Sequence, residues 1–239
     1  SARGGFGTLT ETLATAIGSD RIITSARHIV VKPTAEGWRV TYEHNGEHCE
    51  LTARRVVTTC GAYALPHLLP FVDGETMGRL SNLYYAPVVQ LGVGLRQTGG
   101  VDWPAFGGLV PSCERQQVLG ILFPSACFDG RAPEGGAVMS CFLGGVRHPD
   151  MLRMTDDELT QLANRTLHDM LKYPAGTEAS RVCVFRHERA IPQYELSTDD
   201  RLAAVARLRE QFPTLTIAGN LRDGIGIGDR IKQGFDIAN

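Results

Sequence analysis

The chain has 239 residues, 43% hydrophobic and 21% charged, with a formal net charge of −2. That length allows one large domain or two modest ones, and a near-neutral balance lacks the basic footprint of a nucleic-acid binder. No run is long and apolar enough for a membrane-spanning helix, and no signal peptide is expected.

Six cysteines are scattered, with no Cys-x-x-Cys pair and no zinc-finger spacing to a histidine. They are expected to be reduced, mostly buried thiols in a cytoplasmic protein. A peripheral contact with the cytoplasmic membrane stays open, and the oligomeric state is not legible. Ser1-Ala2-Arg3 runs straight into Gly4-Gly5-Phe6-Gly7 with no initiator methionine, so a piece cut from a longer protein is expected.

A helix is expected from Thr8 to Ile17. Thr8 would be its N-cap, Glu11 would complete a capping box, and Leu9, Leu13, Ala16 and Ile17 would form the apolar face before Gly18. Short strands are expected at Arg21 to Ser25 and His28 to Lys32. Trp38 to Tyr42 and Leu51 to Thr59 read as strands around a turn at Asn45-Gly46, the strongest short hairpin signal. Gly61 to Leu69 reads as a short helix. Four extended runs follow, at Tyr84 to Val93, Ala105 to Pro111, Gln117 to Phe123 and Ala137 to Leu143, with links of turn length that suggest an antiparallel sheet. Thr155 to Lys172 is the clearest helix, with a Thr155/Glu158 capping box. Arg181 to His187 and Ala190 to Tyr194 are extended, and Asp199 to Gln211 is a helix with Leu202, Val205, Ala206 and Leu208 inward.

The last stretch reads as a buried strand from Leu215 to Ala218, a turn carrying Gly224, Gly226 and Gly228, and a helix beginning near Asp229. Unpaired N–H groups at such a helix start suit a phosphate or the electron-rich edge of a flavin. The spacing is neither the dinucleotide fingerprint nor a P-loop. A bare turn and a ligand site are both open on this stretch alone. Elsewhere there is no Gly-x-Ser-x-Gly elbow and no His-Glu-x-x-His pair. His44 and His48 flank a hairpin, and His187-Glu188-Arg189 reads as a charged surface cluster. Without an acid–base set, the chemistry would fall to a cofactor.

Taken in order, several segments resemble the protoporphyrinogen oxidase family, the oxygen-dependent flavoenzymes of haem (porphyrin) biosynthesis within the flavin amine oxidase superfamily. These are Gly4-Gly5-Phe-Gly-Thr-Leu9, Ala105 to Pro111, Leu119 to Ser125, Phe128 to Pro133, Gly144-Gly-Val-Arg147, Ala190-Ile-Pro-Gln-Tyr194, and Gly219-Asn220 through Gly224 to Asp229. The resemblance implies an α+β flavoprotein oxidoreductase of which this is the later half. Residues 1–70 and 205–239 would be the remaining part of an FAD-binding domain, ending in its strand–turn–helix. Residues 71–204 would be a substrate-binding domain with an antiparallel or mixed sheet and flanking helices. The family's N-terminal Gly-x-Gly-x-x-Gly half is absent from this sequence.

The implied cofactor is FAD, at Gly4, Gly5, Ala26, Gly219, Asn220, Gly224, Gly226, Ile227 and Gly228, and the isolated piece is expected not to retain it. A valine is usual at the position of Ala26. Leu109 and Phe123 match positions that line the pocket of a tetrapyrrole, the porphyrinogen substrate. No catalytic side chain and no metal is assigned. His187 replaces a frequent Trp, and Glu-Leu-Ser-Thr follows Tyr194 where Gly-His is usual, which allows a divergent substrate. Protoporphyrinogen IX or coproporphyrinogen is the implied substrate and O₂ the acceptor. The rivals are an amine- or carotenoid-type flavin oxidoreductase and an inactive binding module.

Overall fold

The structure is a computed structural model that describes residues 4–239; Ser1 to Arg3 lie outside that range. It forms two compact units, one from the chain up to Tyr84 together with Pro192 to Asn239, the other from Tyr85 to Ile191. The joins therefore fall at 84/85 and 191/192, where the sequence suggested 70/71 and 204/205. Helix packing moves them: the segment 74–81 and the whole of helix 198–211 lie against each other.

The first unit opens with α1 (Gly7–Ile17). Phe6 is its N-cap and no side chain caps it, so the expected Thr8/Glu11 capping box is absent. Thr8 lies inside the helix, and its carbonyl accepts from Thr12 Oγ1 at 2.7 Å. No α1 residue is buried. The expected strand at Arg21 to Ser25 is also absent. Ser19 to Arg21 is a 3-10 turn, and Ser25 has a left-handed φ of 58°, which interrupts extension.

Strands β1 (Arg27–Thr34), β2 (Gly37–His44) and β3 (Glu47–Ala53) form an antiparallel three-stranded sheet. The β2–β3 hairpin turns at Asn45 and Gly46, both at positive φ, as an Asn-Gly turn requires. Then come β4 (Val56–Thr58), α2 (Leu65–Leu68) and α3 (Gly74–Ser81). The sequence reading missed α3, although Asp73 caps it by accepting from Thr76 N–H at 2.9 Å.

The second unit contains β5 (Tyr85–Leu95), β6 (Gly107–Leu109), β7 (Val118–Leu122), α4 (Pro124–Cys127), β8 (Ala137–Gly144), α5 (Asp156–Asp169) and β9 (Arg181–Pro192). Its five strands lie in the order β6-β7-β8-β5-β9, and β6/β7, β7/β8 and β8/β5 pair antiparallel as expected. The Thr155/Glu158 capping box starts α5. Alternate residues of β5 (Val89, Leu91, Val93 and Leu95) meet Met139, Cys141 and Leu143 of β8 and Leu159, Leu162 and Leu167 of α5 in one apolar core. Each such side chain contributes about 1.5–3 kcal/mol on burial.

The chain returns to the first unit with α6 (Thr198–Gln211), β10 (Leu215–Ile217) and α7 (Ile227–Ala238). Strand β10 pairs parallel with β4. In α6 the inward positions are Arg201, Ala204, Val205 and Leu208. Val205 and Leu208 are inward as expected, whereas Leu202 (38% exposed) and Ala206 face outward and Arg201 and Ala204 take the remaining inward positions. The cysteines also depart from expectation: all six are free, but only Cys141 is buried, and Cys113 and Cys127 are exposed. Burial pushes the Cys141 thiol up to about 12.

Trp38 anchors the first unit. It is 1% exposed, its Nε1 donates to Thr214 Oγ1 at 3.0 Å, and its ring lies 5.6 Å from Phe71 and 5.7 Å from Phe212. Trp38→Ala is expected to destabilise the protein by about 3–5 kcal/mol, read as a lowered urea midpoint. An unchanged midpoint would remove this residue from the core.

Candidate functional site: a clamped glycine turn before α7

The turn between β10 and α7 is held from three sides. Gly219 has φ +98°, and a Cβ there would lie 2.7 Å from the Thr59 carbonyl oxygen, so only glycine fits this close approach. Its N–H donates to Gln233 Oε1 at 2.9 Å. Gln233 also donates through Nε2 to Asp223 Oδ2 at 2.9 Å and is 9% exposed.

One turn of α7 earlier, Arg230 does more. Its Nη2 lies 2.9 Å from each of the carbonyl oxygens of Arg222, Asp223 and Gly224, and its Nη1 donates to Gln233 Oε1 at 2.7 Å. Residues three apart share a helix face, which is why Arg230 and Gln233 act together. From the other side the Tyr194 hydroxyl lies 2.9 Å from both the Asn220 and Gly224 carbonyls. It has one proton, so it donates to one of them at a time.

Arg201 closes the back of the turn. It is fully buried, donates from Nε to the Leu221 carbonyl at 3.1 Å and from Nη2 to Thr198 Oγ1 at 3.0 Å, and lies 6.0 Å from the Tyr194 ring centroid. Burial pushes the Tyr194 phenol up, against the opposing charge of Arg230. Burial also pushes the Asp223 carboxyl up, but hydrogen bonds from Gln233 and Arg222 and the charges of Arg222 and Arg230 outweigh it and leave it lowered.

The expected cofactor residues are thus partly committed within the protein. The Gly219 N–H is taken by Gln233. The Gly226 N–H is taken by Asp229 Oδ2 at 2.9 Å, in the capping arrangement of α7. The helix begins at Ile227 rather than near Asp229, and Asp229 places a carboxylate at its positive end. Outward lie Ile225, Gly226, Ile227 and Gly228, all exposed. A Cβ on Gly228 would meet nothing within 4 Å, so a planar group can approach the backbone there. Of the expected cofactor residues, Ile227 and Gly228 are thus the ones left exposed at the helix start.

Gly4 and Gly5, at φ +81° and +99°, introduce α1, and α1 and α7 line one apolar groove with Phe6, Leu13, Ile231 and Phe235. The structure thereby brings the first and last helices together. Ala26 sits half-buried just before β1, and no described hydrogen bond ties it to the turn. In the second unit, Leu109 is 90% exposed at the end of β6, whereas Phe123 is 7% exposed in the core. Phe123 stacks on Trp103 with centroids 5.6 Å apart. The two expected pocket residues therefore do not share one apolar wall. No group of three or more metal-ligating side chains occurs among the described residues, and none of their helices is long and apolar enough to cross a membrane.

The sequence reading missed Arg230, Gln233 and Arg201. The available signal was the i, i+3 pairing of two polar residues opposite the Ile227/Ile231/Phe235 stripe, which itself is exposed. Gln233→Ala is expected to raise amide hydrogen exchange across residues 219–226 at least about tenfold, since a hydrogen bond of this kind contributes about 0.5–1.5 kcal/mol and Gln233 makes three. Exchange in α5 should not change. Equal protection of the turn in both proteins would show that the clamp does not hold it.

Comparisons with known proteins bear on this geometry. The family model of flavin-containing amine oxidoreductases matches residues 1–227. The chloroplastic protoporphyrinogen oxidase of Nicotiana tabacum is 27% identical over 248 residues, covering 100% of this chain and 45% of that protein. The protoporphyrinogen oxidase of Bos taurus is 29% identical over 253 residues, covering 100% of this chain and 50% of that protein. The chain thus spans about half the length of the curated relatives it matches. Among solved structures, a protein from Exiguobacterium sp. 255-15 superposes with a TM-score of 0.80 at 18% identity, over 100% of this chain and 52% of that one. Cyclohexylamine oxidase from Brevibacterium oxydans gives a TM-score of 0.66 at 15% identity, over 91% of this chain and 47% of that one. At these identities the structures show a shared fold. The chain belongs to the flavin-containing amine oxidoreductases, with an α+β fold, and the two curated relatives above are protoporphyrinogen oxidases.

Proposed function

We propose that this chain is the later half of a flavoenzyme that oxidises protoporphyrinogen IX, or a close relative such as coproporphyrinogen, to the porphyrin with O₂ as acceptor. One observation carries the reading: protoporphyrinogen oxidases align with the whole of the chain, through both units. The first unit would contribute the closing part of an FAD site, and the second would bind the tetrapyrrole. The enzyme would act in the cytoplasm, at most peripherally on the cytoplasmic membrane.

Bound FAD would supply the two-electron oxidation. The chain's own residues would bind and orient. Ile227 and Gly228 would offer backbone at the edge of the flavin, and Arg230, Gln233 and Tyr194 would hold that backbone in one geometry so that it need not reorganise during reaction. No titratable side chain is assigned a proton-transfer role. Leu109, exposed on β6, would contribute an apolar contact to the macrocycle. Phe123 would act from beneath, through the core.

The isolated chain carries only part of a cofactor site and would lose most of the contacts that offset the cost of binding. It is expected to purify colourless. A yellow preparation with stoichiometric FAD would contradict that. Full-length protein is expected to form fluorescent porphyrin together with peroxide, and to do so only with FAD. No porphyrin from an FAD-loaded preparation would reject the reading.

A further inference from the structure

A second candidate site lies in the second unit, where the β6–β7 connection meets the end of β8. It is a pocket of about 500 Å³, whose lining includes Val110 and Leu119 together with Arg115, Gln117, Arg147 and His148. Each arginine stands on a turn tied to the sheet. The hairpin is closed by Val110 N–H donating to the Leu119 carbonyl at 2.9 Å. Arg115 follows the 3-10 turn Ser112–Glu114 in the left-handed region, at φ 52°, a conformation costing about 1–2 kcal/mol for a side-chain-bearing residue. Arg147 follows Gly144 and Gly145, both at positive φ, and Gly145 N–H donates to the Pro87 carbonyl at 2.7 Å.

Among the described residues, neither Arg115 nor Arg147 has a carboxylate partner. This contrasts with Arg79, Arg186 and Arg222, each paired with an acid. Both guanidinium groups line one pocket that no acid neutralises. A guanidinium offers a planar fork that matches a carboxylate with two parallel hydrogen bonds. The aliphatic lining favours a carboxylate attached to an apolar body over a fully hydrated inorganic anion. The pocket begins one residue after the exposed Leu109, so a ligand lying on β6 would reach it.

We propose that this pocket binds the carboxylate of an apolar organic anion; under the tetrapyrrole reading, on which this second clause rests, the anion is a carboxylate side chain of the macrocycle. Arg115 and Arg147 are then recognition residues that orient the ring system through its acidic edge.

The test is a binding titration of the 239-residue chain with 2-naphthoate and with uncharged 2-naphthamide, for wild type and Arg115→Gln/Arg147→Gln, alongside protoporphyrin IX and carboxylate-free octaethylporphyrin. Circular dichroism confirms that the variant is folded. The expected result is tighter binding of naphthoate than of naphthamide, with the preference reduced at least about tenfold in the variant, and the same pattern between the two porphyrins. No preference for the carboxylate, a preference that survives in the variant, or competition by equimolar inorganic phosphate as strong as by naphthoate would overturn the proposal. Porphyrin binding indifferent to carboxylate and to the variant would overturn it while leaving the tetrapyrrole reading intact. Naphthoate recognition lost in the variant, without any porphyrin binding, would support the carboxylate site and remove the macrocycle.

Discussion

The Arg230 guanidinium and the Gln233 amide, side by side on α7, are what the candidate cofactor turn depends on. Three consecutive carbonyls, from Arg222 to Gly224, converge on Arg230, and Gln233 links Gly219 to Asp223. A glycine-rich segment has the largest conformational entropy to lose on folding, so left to itself it would sample many shapes. Here a helix contributes its polar face to the segment that precedes it, and Tyr194 closes the other side. The result is a backbone whose carbonyls point inward and whose outer edge, at Ile227 and Gly228, is uncovered by side chains. A cofactor meeting that edge would find it already ordered.

This arrangement reassigns the roles of the glycines. Gly219 and Gly224 serve the protein's own packing: a Cβ on the first would collide with the Thr59 carbonyl, and one on the second with the Asp229 carboxylate. Gly228 alone is free of such constraint. The presence of Asp229 at the helix start also limits how far α7 can act as an anion site, because its carboxylate already engages the Gly226 N–H. The site is better suited to a neutral edge approaching the backbone than to a phosphate seated on the helix axis.

Much of this was legible in the residues. Asn45-Gly46 marked the hairpin, the Thr155/Glu158 pair marked the start of α5, and four apolar runs separated by Gly and Pro marked the antiparallel sheet of the second unit. What failed did so for identifiable reasons. Thr8 looked like a cap because Glu11 stands three residues on, but the paired glycines before Phe6 let the helix begin earlier. The stripes of α1 and α7 looked like core, yet Leu13, Ile231 and Phe235 are about half exposed or more, since periodicity shows that a face is apolar and not what covers it. Arg201 was unreadable because a buried arginine held by one carbonyl and one hydroxyl has no sequence signature. Phe123 and Leu109 were alike as apolar strand residues, and only the pairing of the strands separates a core side chain from an exposed one.

The central claim is that the α7 clamp organises the turn for a flavin. The most direct measurement is the FAD affinity of the full-length protein by fluorescence titration, for wild type and Gln233→Ala. The expected result is a dissociation constant raised about tenfold, the consequence of about 1.4 kcal/mol of lost preorganisation. An unaltered dissociation constant, in a variant whose turn exchanges faster, would contradict the claim.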